Sequence, residues 1–269
     1  MKKLIITLHD FGISKSVNDG VLYAIKHPNN IATQYSLLPH APGSELGAQI
    51  AKENPDLSFD LCVALTSFNP IGKSYKTLVD KNNQFLKPDT VTWDFSIIDN
   101  FDPKEVEEEI SLQYEWFLGH VGRKPTALTT QKSEHGDPKI LIPLADLAKK
   151  EGLPIRTPAW KWFSNYAAQS YVVDLGLKHT QNVFIGCLDW RGRYGYDLET
   201  DLDKLVSDIK ATDGVSELLI FCGFVDEELF NISSVTWQRG QYLDIIERKM
   251  PIVERFRKEF ELVDYRNLQ

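Results

Sequence analysis

An alternation of strand-like and helix-like segments runs through the first part of the chain. Residues 4–8 form a short run rich in apolar and β-branched side chains, and residues 14–26 place apolar side chains at helical spacing. A strand pattern over 31–39, a helix pattern over 45–52 and a strand pattern over 57–66 follow. Strands that alternate with helices pair in parallel and carry the helices outside the sheet. The alternation therefore predicts an α/β fold.

The same alternation continues, less regularly, to the end of the sequence. A helix is predicted from Pro103, because Asp102 can cap it and Glu105 lies three residues after the cap. Pro251 is expected to split the last predicted helix. The other predicted segments are strands at 123–131, 153–158, 182–186, 215–224 and 260–265, and helices at 138–151, 198–209 and 236–259.

Roughly seven strand candidates favour a distorted (β/α) TIM-like barrel over an open doubly wound sheet. We expect one barrel domain over residues 1–269, closed by the late strand at 260–265. Residues 67–101 interrupt the alternation with glycine, proline, asparagine and aromatic residues. A loop of this length in a compact domain is usually functional, and its apolar content predicts an ordered insertion that covers a site.

Charge and cysteine content exclude several classes of function. The formal net charge is −8, and no cluster of lysine and arginine is interleaved with aromatic residues, so a nucleic-acid surface is not expected. The sequence has no run of 18 apolar residues and no signal-peptide core, which excludes a membrane span or secretion by that route. The three widely spaced cysteines form neither a disulfide framework nor a CxxC pair, so we expect a cytoplasmic protein with reduced thiols.

Ionisable residues follow several predicted strands, and a barrel brings strand ends to one face. His9 and Asp10 end the first predicted strand. The alternative to a functional pair is an acidic turn before a helix capped by Ser14. The others at predicted strand ends are Asp60, Cys62, Glu134, His135, Arg156, Cys222 and Asp226. His9, Asp10, Cys62 and His135 offer nitrogen, oxygen and thiolate ligands for a divalent metal, but without a compact ligand motif.

Short sequence fragments that occur in a fixed order along the chain give a further indication of fold and function. They are LHDFGISKSVNDGV, ATQYSLL, CVALT, TLVDKNNQF, PTALTTQKSEH, PIRTP, FCGFVD and SSVTWQR. In this order, from end to end of the chain, they resemble the ChbG/YdjC carbohydrate deacetylase family. The resemblance implies a distorted (β/α) barrel, a homodimer, and metal-dependent removal of an acetyl group from an N-acetylated sugar. In that chemistry a carboxylate and histidines hold magnesium or zinc, and an acidic residue acts as base.

The family's site residues are only partly retained. Asp10 keeps the position of a metal ligand, whereas His9 replaces the expected acidic base. Cys62 and Gln131 stand where the family has ligand histidines, and His135 is the one histidine kept from the histidine-rich strand. A single carboxylate leaves most of the coordination to water, so the resemblance implies a weakened metal site at Asp10. A rearranged zinc site that includes Cys62 is the alternative.

Two hypotheses follow from these substitutions. The first is a catalytically impaired relative that binds a carbohydrate or another protein in the same cleft. The second is an active hydrolase that removes acetyl groups from N-acetylated sugars through a rearranged metal site or through His9 beside Asp10. We expect catalytic positions at Asp10, His9 and His135, and substrate-binding positions at Arg156, Trp160 and Arg239. The aromatic lining expected for a sugar cleft is Trp93, Trp160, Trp162 and Tyr166, and packing in the protein core is the alternative for these side chains.

Overall fold

A computed structural model describes residues 1–89, 92, 94–157, 166–187, 195–248 and 251–268, with the backbone alone for residues 166–169. The strands are β1 (Lys2–Phe11), β2 (Gln34–Leu37), β3 (Phe59–Val63), β4 (Leu128–Thr130), β5 (Asn182–Ile185), β6 (Ser216–Phe221) and β7 (Phe260–Val263). They pair in parallel in the order β4-β3-β2-β1-β6-β5, and β7 also pairs with β1. The parallel sheet confirms the α/β class expected from the alternation.

The sheet closes on itself through a segment that forms only single bridges. Ile155 bridges Leu128 of β4 on one side and His179, just before β5, on the other. Its backbone N–H donates to the Lys178 carbonyl at 2.9 Å, and the Arg156 N–H donates to the Leu128 carbonyl at 3.1 Å. The predicted strand at 153–158 is therefore reduced to a bridge, and the result is the distorted barrel that the sequence predicts.

The last strand does not close the barrel, contrary to expectation. Leu4 and Ile5 of β1 pair with both β6 and β7, so these two strands lie on opposite edges of β1. β2 and β7 both pair with the same edge of β1. β2 pairs with the carboxyl half of that edge, and β7 pairs with the amino half. On the opposite edge of β1, the ring continues through β6.

Helices surround the sheet, and their ends follow the local sequence signals. The helices are α1 (Lys15–Lys26), α2 (Ser44–Glu53), α3 (Pro103–Val121), α4 (Pro138–Glu151), α5 (Tyr166–Asp174), α6 (Leu202–Lys210), α7 (Glu227–Ile232), α8 (Gln238–Glu247) and α9 (Pro251–Glu259), with 3-10 turns at Ser96–Asn100, Gln131–Gly136 and Tyr265–Leu268. Ser14 and Asp102 cap α1 and α3 through their side chains, as expected. Pro251 begins α9, so the predicted last helix is split there. None of the helices in the described ranges is long and apolar enough to cross a bilayer.

The long loop after β3 is held against α3 by two glutamates. The Glu109 carboxylate accepts from the backbone N–H groups of Ile71 and Gly72 at 3.0 and 2.9 Å. One turn earlier, Glu105 accepts from the backbone N–H of Thr77 at 2.9 Å. Backbone donors paired with carboxylates fix a loop that has little regular structure of its own. The described part of the insertion is thereby ordered as one wall of the barrel mouth.

A close backbone contact joins α1 to the end of β6. A Cβ atom on Gly20 would lie 2.6 Å from the Gly223 Cα and 2.7 Å from the Phe224 nitrogen. We therefore expect Gly20→Ala to lower the free energy of unfolding by about 1–3 kcal/mol, measured by urea denaturation. Gly119→Ala is the matched control, because no atom lies within 4 Å of its added Cβ. The control is expected to leave stability unchanged or raise it by up to about 1 kcal/mol. Equal stability of the two variants would contradict the contact.

Candidate functional site

A cleft of about 760 Å³ opens where the strands end. Its walls include His9 and Asp10 from β1, Gln131 and Lys132 from the turn after β4, and Phe221 at the end of β6. The carboxyl ends of barrel strands are the usual place for a functional site, because the following loops converge there. The cleft wall therefore includes His9 and Asp10, the two residues that the sequence analysis placed at the end of the first strand.

Backbone strain is concentrated around this cleft. Seven non-glycine residues in the described ranges have a positive φ. Five of the seven line the cleft, namely Asp10, His40, Phe68, Lys132 and Ser133. Each such conformation costs on the order of 1–3 kcal/mol and persists where the surrounding structure enforces it. This distribution supports a site whose lining is held in a defined arrangement.

The Asp10 side chain is fixed by three neighbours. Its φ of 62° interrupts the pairing of β1 with β2 and turns the residue out of the regular strand. The Asp10 Oδ2 accepts from the Arg239 Nη2 at 2.8 Å, while Oδ1 accepts from the His9 Nδ1 at 2.9 Å and the Gln131 Nε2 at 3.3 Å. Burial alone would raise the pKa of Asp10, but His9 and Arg239 hold it well below its usual range. Asp10 is therefore an ionised carboxylate with both oxygens engaged.

The second nitrogen of His9 faces the barrel interior. Its Nε2 lies 3.4 Å from the Arg156 Nη1 and 3.9 Å from the Cys62 Sγ. Because an arginine can only donate, the Nε2 of this pair is the acceptor and the Nδ1 carries the hydrogen directed to Asp10. Neither ring nitrogen is open toward the cleft in this arrangement.

The contacts among Cys62, His9 and Asp10 have the order of a nucleophile, a base and an orienting carboxylate. Cys62 is nevertheless fully buried, and it is not part of the cleft wall. Burial raises the pKa of the Cys62 thiol well above its ordinary value, so the thiolate form is disfavoured. The geometry does not present Cys62 to a substrate.

Arg156, predicted as a substrate-binding position, is paired with Glu217 inside the barrel. Its Nε and Nη2 donate to the two carboxylate oxygens of Glu217 at 2.8 and 2.7 Å. Thr7 and Tyr265 each donate a further hydrogen bond to Glu217, both at 2.6 Å. Burial alone would raise the pKa of Glu217, but Arg156 and these hydroxyl donors bring it below its ordinary value. This placement argues for a structural role for Arg156.

His135 also lies away from the cleft. Its Nδ1 accepts from the Thr130 hydroxyl at 2.5 Å, and its Nε2 donates to the Arg156 carbonyl at 2.9 Å. Burial, assisted by the Arg156 charge, lowers the pKa of His135 to about 3, so the imidazole is neutral. His135 ties the end of β4 to the segment that closes the barrel.

Arg239, predicted as a substrate-binding position, lies beside Asp10, but it is fully buried and is not part of the cleft wall. Trp93, Trp160 and Trp162 lie outside the described residues, and the side chain of Tyr166 is also outside them. The aromatic side chains of the described cleft wall are Phe68, Phe221 and Phe230. Phe230 is 60% exposed.

A divalent cation does not fit the donors around Asp10. In the described ranges no three His, Cys, Asp or Glu side chains are grouped to hold a metal ion. Both Asp10 oxygens already accept hydrogen bonds, and the nearest cation is the Arg239 guanidinium. Cys62, which stands at one of the family's ligand positions, is a protonated thiol because burial raises its pKa well above the ordinary value. The arrangement favours an arginine–aspartate pair over a metal centre.

Comparisons with known proteins agree with the fold and with the resemblance. A family model described as "YdjC-like protein" matches residues 3–262. A carbohydrate deacetylase from Clostridium beijerinckii is 26% identical over 268 residues, which are 99% of this chain and 100% of the relative. Carbohydrate deacetylase 1 from Listeria innocua is 28% identical over 267 residues, again 99% of this chain and 100% of the relative.

A crystal structure supports the fold alone. It is described as a cellobiose-phosphate cleavage protein from Enterococcus faecalis V583, with a TM-score of 0.83 and 23% identity. The match covers 99% of this chain and 98% of that one.

Proposed function

The chain belongs to the YdjC-like protein family, and from this premise we propose that it binds a carbohydrate in the barrel cleft without catalysing metal-dependent deacetylation. The sugar ligand is inferred from the relatives, which are described as carbohydrate deacetylases and match over nearly their whole length. The cleft volume and the exposed Phe230 ring support a sugar-sized ligand with an apolar face.

One observation carries the catalytic part of the proposal. The Asp10 carboxylate is occupied by Arg239 at 2.8 Å and His9 at 2.9 Å. A metal-assisted hydrolysis needs a cation that polarises the carbonyl and activates water, and a guanidinium, which only donates hydrogen bonds, is not a Lewis acid that can do this.

A hydrolase that uses His9 is the competing function. The His9–Asp10 contact at 2.9 Å is the observation that favours it, since a carboxylate that orients an imidazole is a common arrangement for a general base. Against it stands the Arg156 guanidinium at 3.4 Å from Nε2, the nitrogen that would have to accept the proton. Both functions can be tested on the same protein.

The experiment combines a turnover assay with a binding measurement. Acetate release from N-acetylated chito-oligosaccharides is followed with added magnesium or zinc, beside the Clostridium beijerinckii relative as a positive control. Binding of the same sugars is measured by calorimetry. We expect saturable binding and no acetate release. Acetate release that Asp10→Asn or His9→Ala abolishes would establish the hydrolase instead, and the absence of any binding would refute the carbohydrate cleft.

Phe230 provides a direct test of the cleft as the binding surface. Phe230→Ala is expected to weaken binding about 3- to 10-fold, because stacking of an apolar sugar face on the ring would be lost. Trp237→Ala is the matched control: Trp237 is 62% exposed, close to the 60% of Phe230, but it is not part of the cleft wall. Equal effects of the two substitutions would place the ligand elsewhere.

A further inference from the structure

A serine and a lysine are in hydrogen-bond contact in the cleft wall. Ser67 lies in the long loop after β3, and Lys132 lies in the turn after β4, the strand that pairs with β3. The Lys132 Nζ is 2.6 Å from the Ser67 Oγ, and both residues line the cleft. A serine hydroxyl at this distance from a neutral amine can give the amine its proton as it attacks a substrate. The contact is therefore that of a nucleophile and its base.

The surroundings of the Lys132 nitrogen suit both of its protonation states. Besides Ser67, the Nζ contacts the carbonyl and hydroxyl oxygens of Thr66, at 3.2 and 3.4 Å. The Thr66 hydroxyl gives its own hydrogen to Glu134, so its oxygen can accept. A neutral amine donates its two hydrogens to Thr66 and accepts from the Ser67 hydroxyl, whereas an ammonium donates to the same three oxygens. Lys132 can therefore take up and release a proton without a rearrangement.

The charges around Lys132 favour its neutral form. In the described ranges no carboxylate oxygen lies within ion-pair distance of Lys132. Burial first, and the charge of Lys87 in addition, lower the pKa of Lys132, although Glu134 and Asp10 oppose the change. Burial also raises the pKa of Glu134, which weakens that opposition. A lysine that acts as a general base needs a pKa below its ordinary value, and this is the net direction.

Strained backbone holds both partners in place. Lys132 and Ser133 have φ values of 50° and 54°, and Phe68, which follows Ser67, has a φ of 66°. Such conformations of non-glycine residues are costly and cluster at functional sites. Ser67 is 9% exposed and lines the cleft, so a ligand in the cleft can reach it. Both side chains are thus aimed at one point of the cleft wall.

We propose that Ser67 and Lys132 form a metal-independent dyad that hydrolyses an O-acyl ester, with Ser67 as the nucleophile and Lys132 as the general base. The reaction differs from metal-dependent deacetylation in its site and its substrate bond. An ester is the substrate class, because an alkoxide is a far better leaving group than the nitrogen of an amide. A sugar as the carrier of the ester rests on the proposed carbohydrate-binding function, whereas the dyad itself does not.

The reaction has two half-reactions. In the first, the neutral Lys132 amine takes the hydroxyl proton as the Ser67 Oγ forms a bond to the ester carbonyl carbon. The tetrahedral intermediate collapses, the bond to the alkoxide breaks, and the alkoxide leaves as an alcohol with the proton from Lys132. In the second, a water molecule gives a proton to Lys132 and adds to the acyl-serine. Collapse releases the carboxylic acid, and the Ser67 oxygen recovers its proton from Lys132.

The first test locates the nucleophile with a fluorophosphonate, which phosphonylates an activated serine and releases fluoride. The full chain is labelled at mildly alkaline pH with a metal chelator present, and the modified residue is identified by peptide mass spectrometry. We expect a single adduct, at Ser67, that Ser67→Ala removes. Ser234→Ala, at an exposed serine of the same cleft wall, is the control and should leave the adduct unchanged. No adduct, or an adduct at another residue, would overturn the dyad.

The second test separates a base from a tether that only joins the turn after β4 to the long loop. Lys132→Gln keeps a hydrogen-bond donor but has no basic nitrogen. We expect it to slow both labelling and hydrolysis of p-nitrophenyl acetate by about 100-fold, with stability to urea unchanged. Lys52→Gln, at an exposed lysine on α2, is the control and should change neither rate. Rates that Lys132→Gln leaves unchanged would overturn the role of Lys132 as the base.

The pH dependence of wild-type labelling is a further measurement that needs no variant. The labelling rate is expected to rise with pH as Lys132 loses its proton, and to level off when the amine is neutral. A rate that does not rise would also overturn the dyad. The calorimetry with sugars decides the proposed function separately: labelling at Ser67 without sugar binding supports the dyad alone, and sugar binding without labelling supports the carbohydrate cleft alone.

Discussion

Arg156→Leu is expected to lower the free energy of unfolding by about 3–5 kcal/mol, because it leaves a buried carboxylate without its cation. Arg156 is 1% exposed and Glu217 is fully buried, and two parallel hydrogen bonds join them. Urea denaturation followed by circular dichroism measures the loss. If Arg156 were mainly a substrate contact, the same substitution would weaken sugar binding and leave stability nearly unchanged.

A second substitution identifies the cause of the instability. Arg156→Leu combined with Glu217→Gln removes the uncompensated charge, and the amide introduced on β6 can still hydrogen-bond with Thr7 and Tyr265. The double variant is therefore expected to be more stable than Arg156→Leu alone. A double variant that is less stable than the single one would show that lost packing of the arginine side chain, and not the unpaired charge of Glu217, causes the effect.

The Asp10–Arg239 pair is expected to make stability depend on pH. Asp10→Asn should cost about 3 kcal/mol at pH 7, because the Arg239 guanidinium is then buried without its counter-charge. The pKa of Asp10 in the folded protein is lowered, with burial opposed and outweighed by His9 and Arg239. Its stabilisation is therefore fully present above the unfolded pKa of about 4 and is lost as the pH falls from there toward the folded pKa.

Urea denaturation at several pH values between neutrality and about pH 3 tests this dependence. The stabilities of the wild-type chain and Asp10→Asn are expected to converge as the solution becomes acidic. Asp174→Asn, at an exposed position on α5, is the control and is expected to change stability by less than about 0.5 kcal/mol at any pH. A difference between wild type and Asp10→Asn that stays constant with pH would contradict the ionised pair.

The sequence predicts the fold better than it predicts the site. Helix starts at Ser14 and Asp102 and the break at Pro251 are local signals, and the structure has each of them. The parallel arrangement follows from the order of segments, which needs no knowledge of long-range contacts. The structure of the segment around Ile155 is harder to predict, because a segment that pairs through single bridges has the same sequence pattern as a longer strand.

Glu217 shows why the site is harder to predict. It lies in a nearly continuous apolar run, where an isolated glutamate gives no sign of its partner. The partner, Arg156, is 61 residues away, and only the closed barrel brings them together. Whether a side chain contacts a ligand or forms an internal ion pair depends on that closure. The sequence therefore identifies Arg156 as a charged residue at a predicted strand end, but it does not show in which direction the side chain points.

The position of β1 also has a consequence for how the chain reaches this fold. β1 pairs with β6 and β7, and Thr7 bonds to Glu217 across a separation of 210 residues. Contacts of such high sequence separation cost loop-closure entropy before they return any stabilisation, which slows folding. During synthesis, the edge of β1 that will pair with β6 stays without its partner until β6 has emerged, and an unpaired strand edge is a place where incomplete chains can pair with one another.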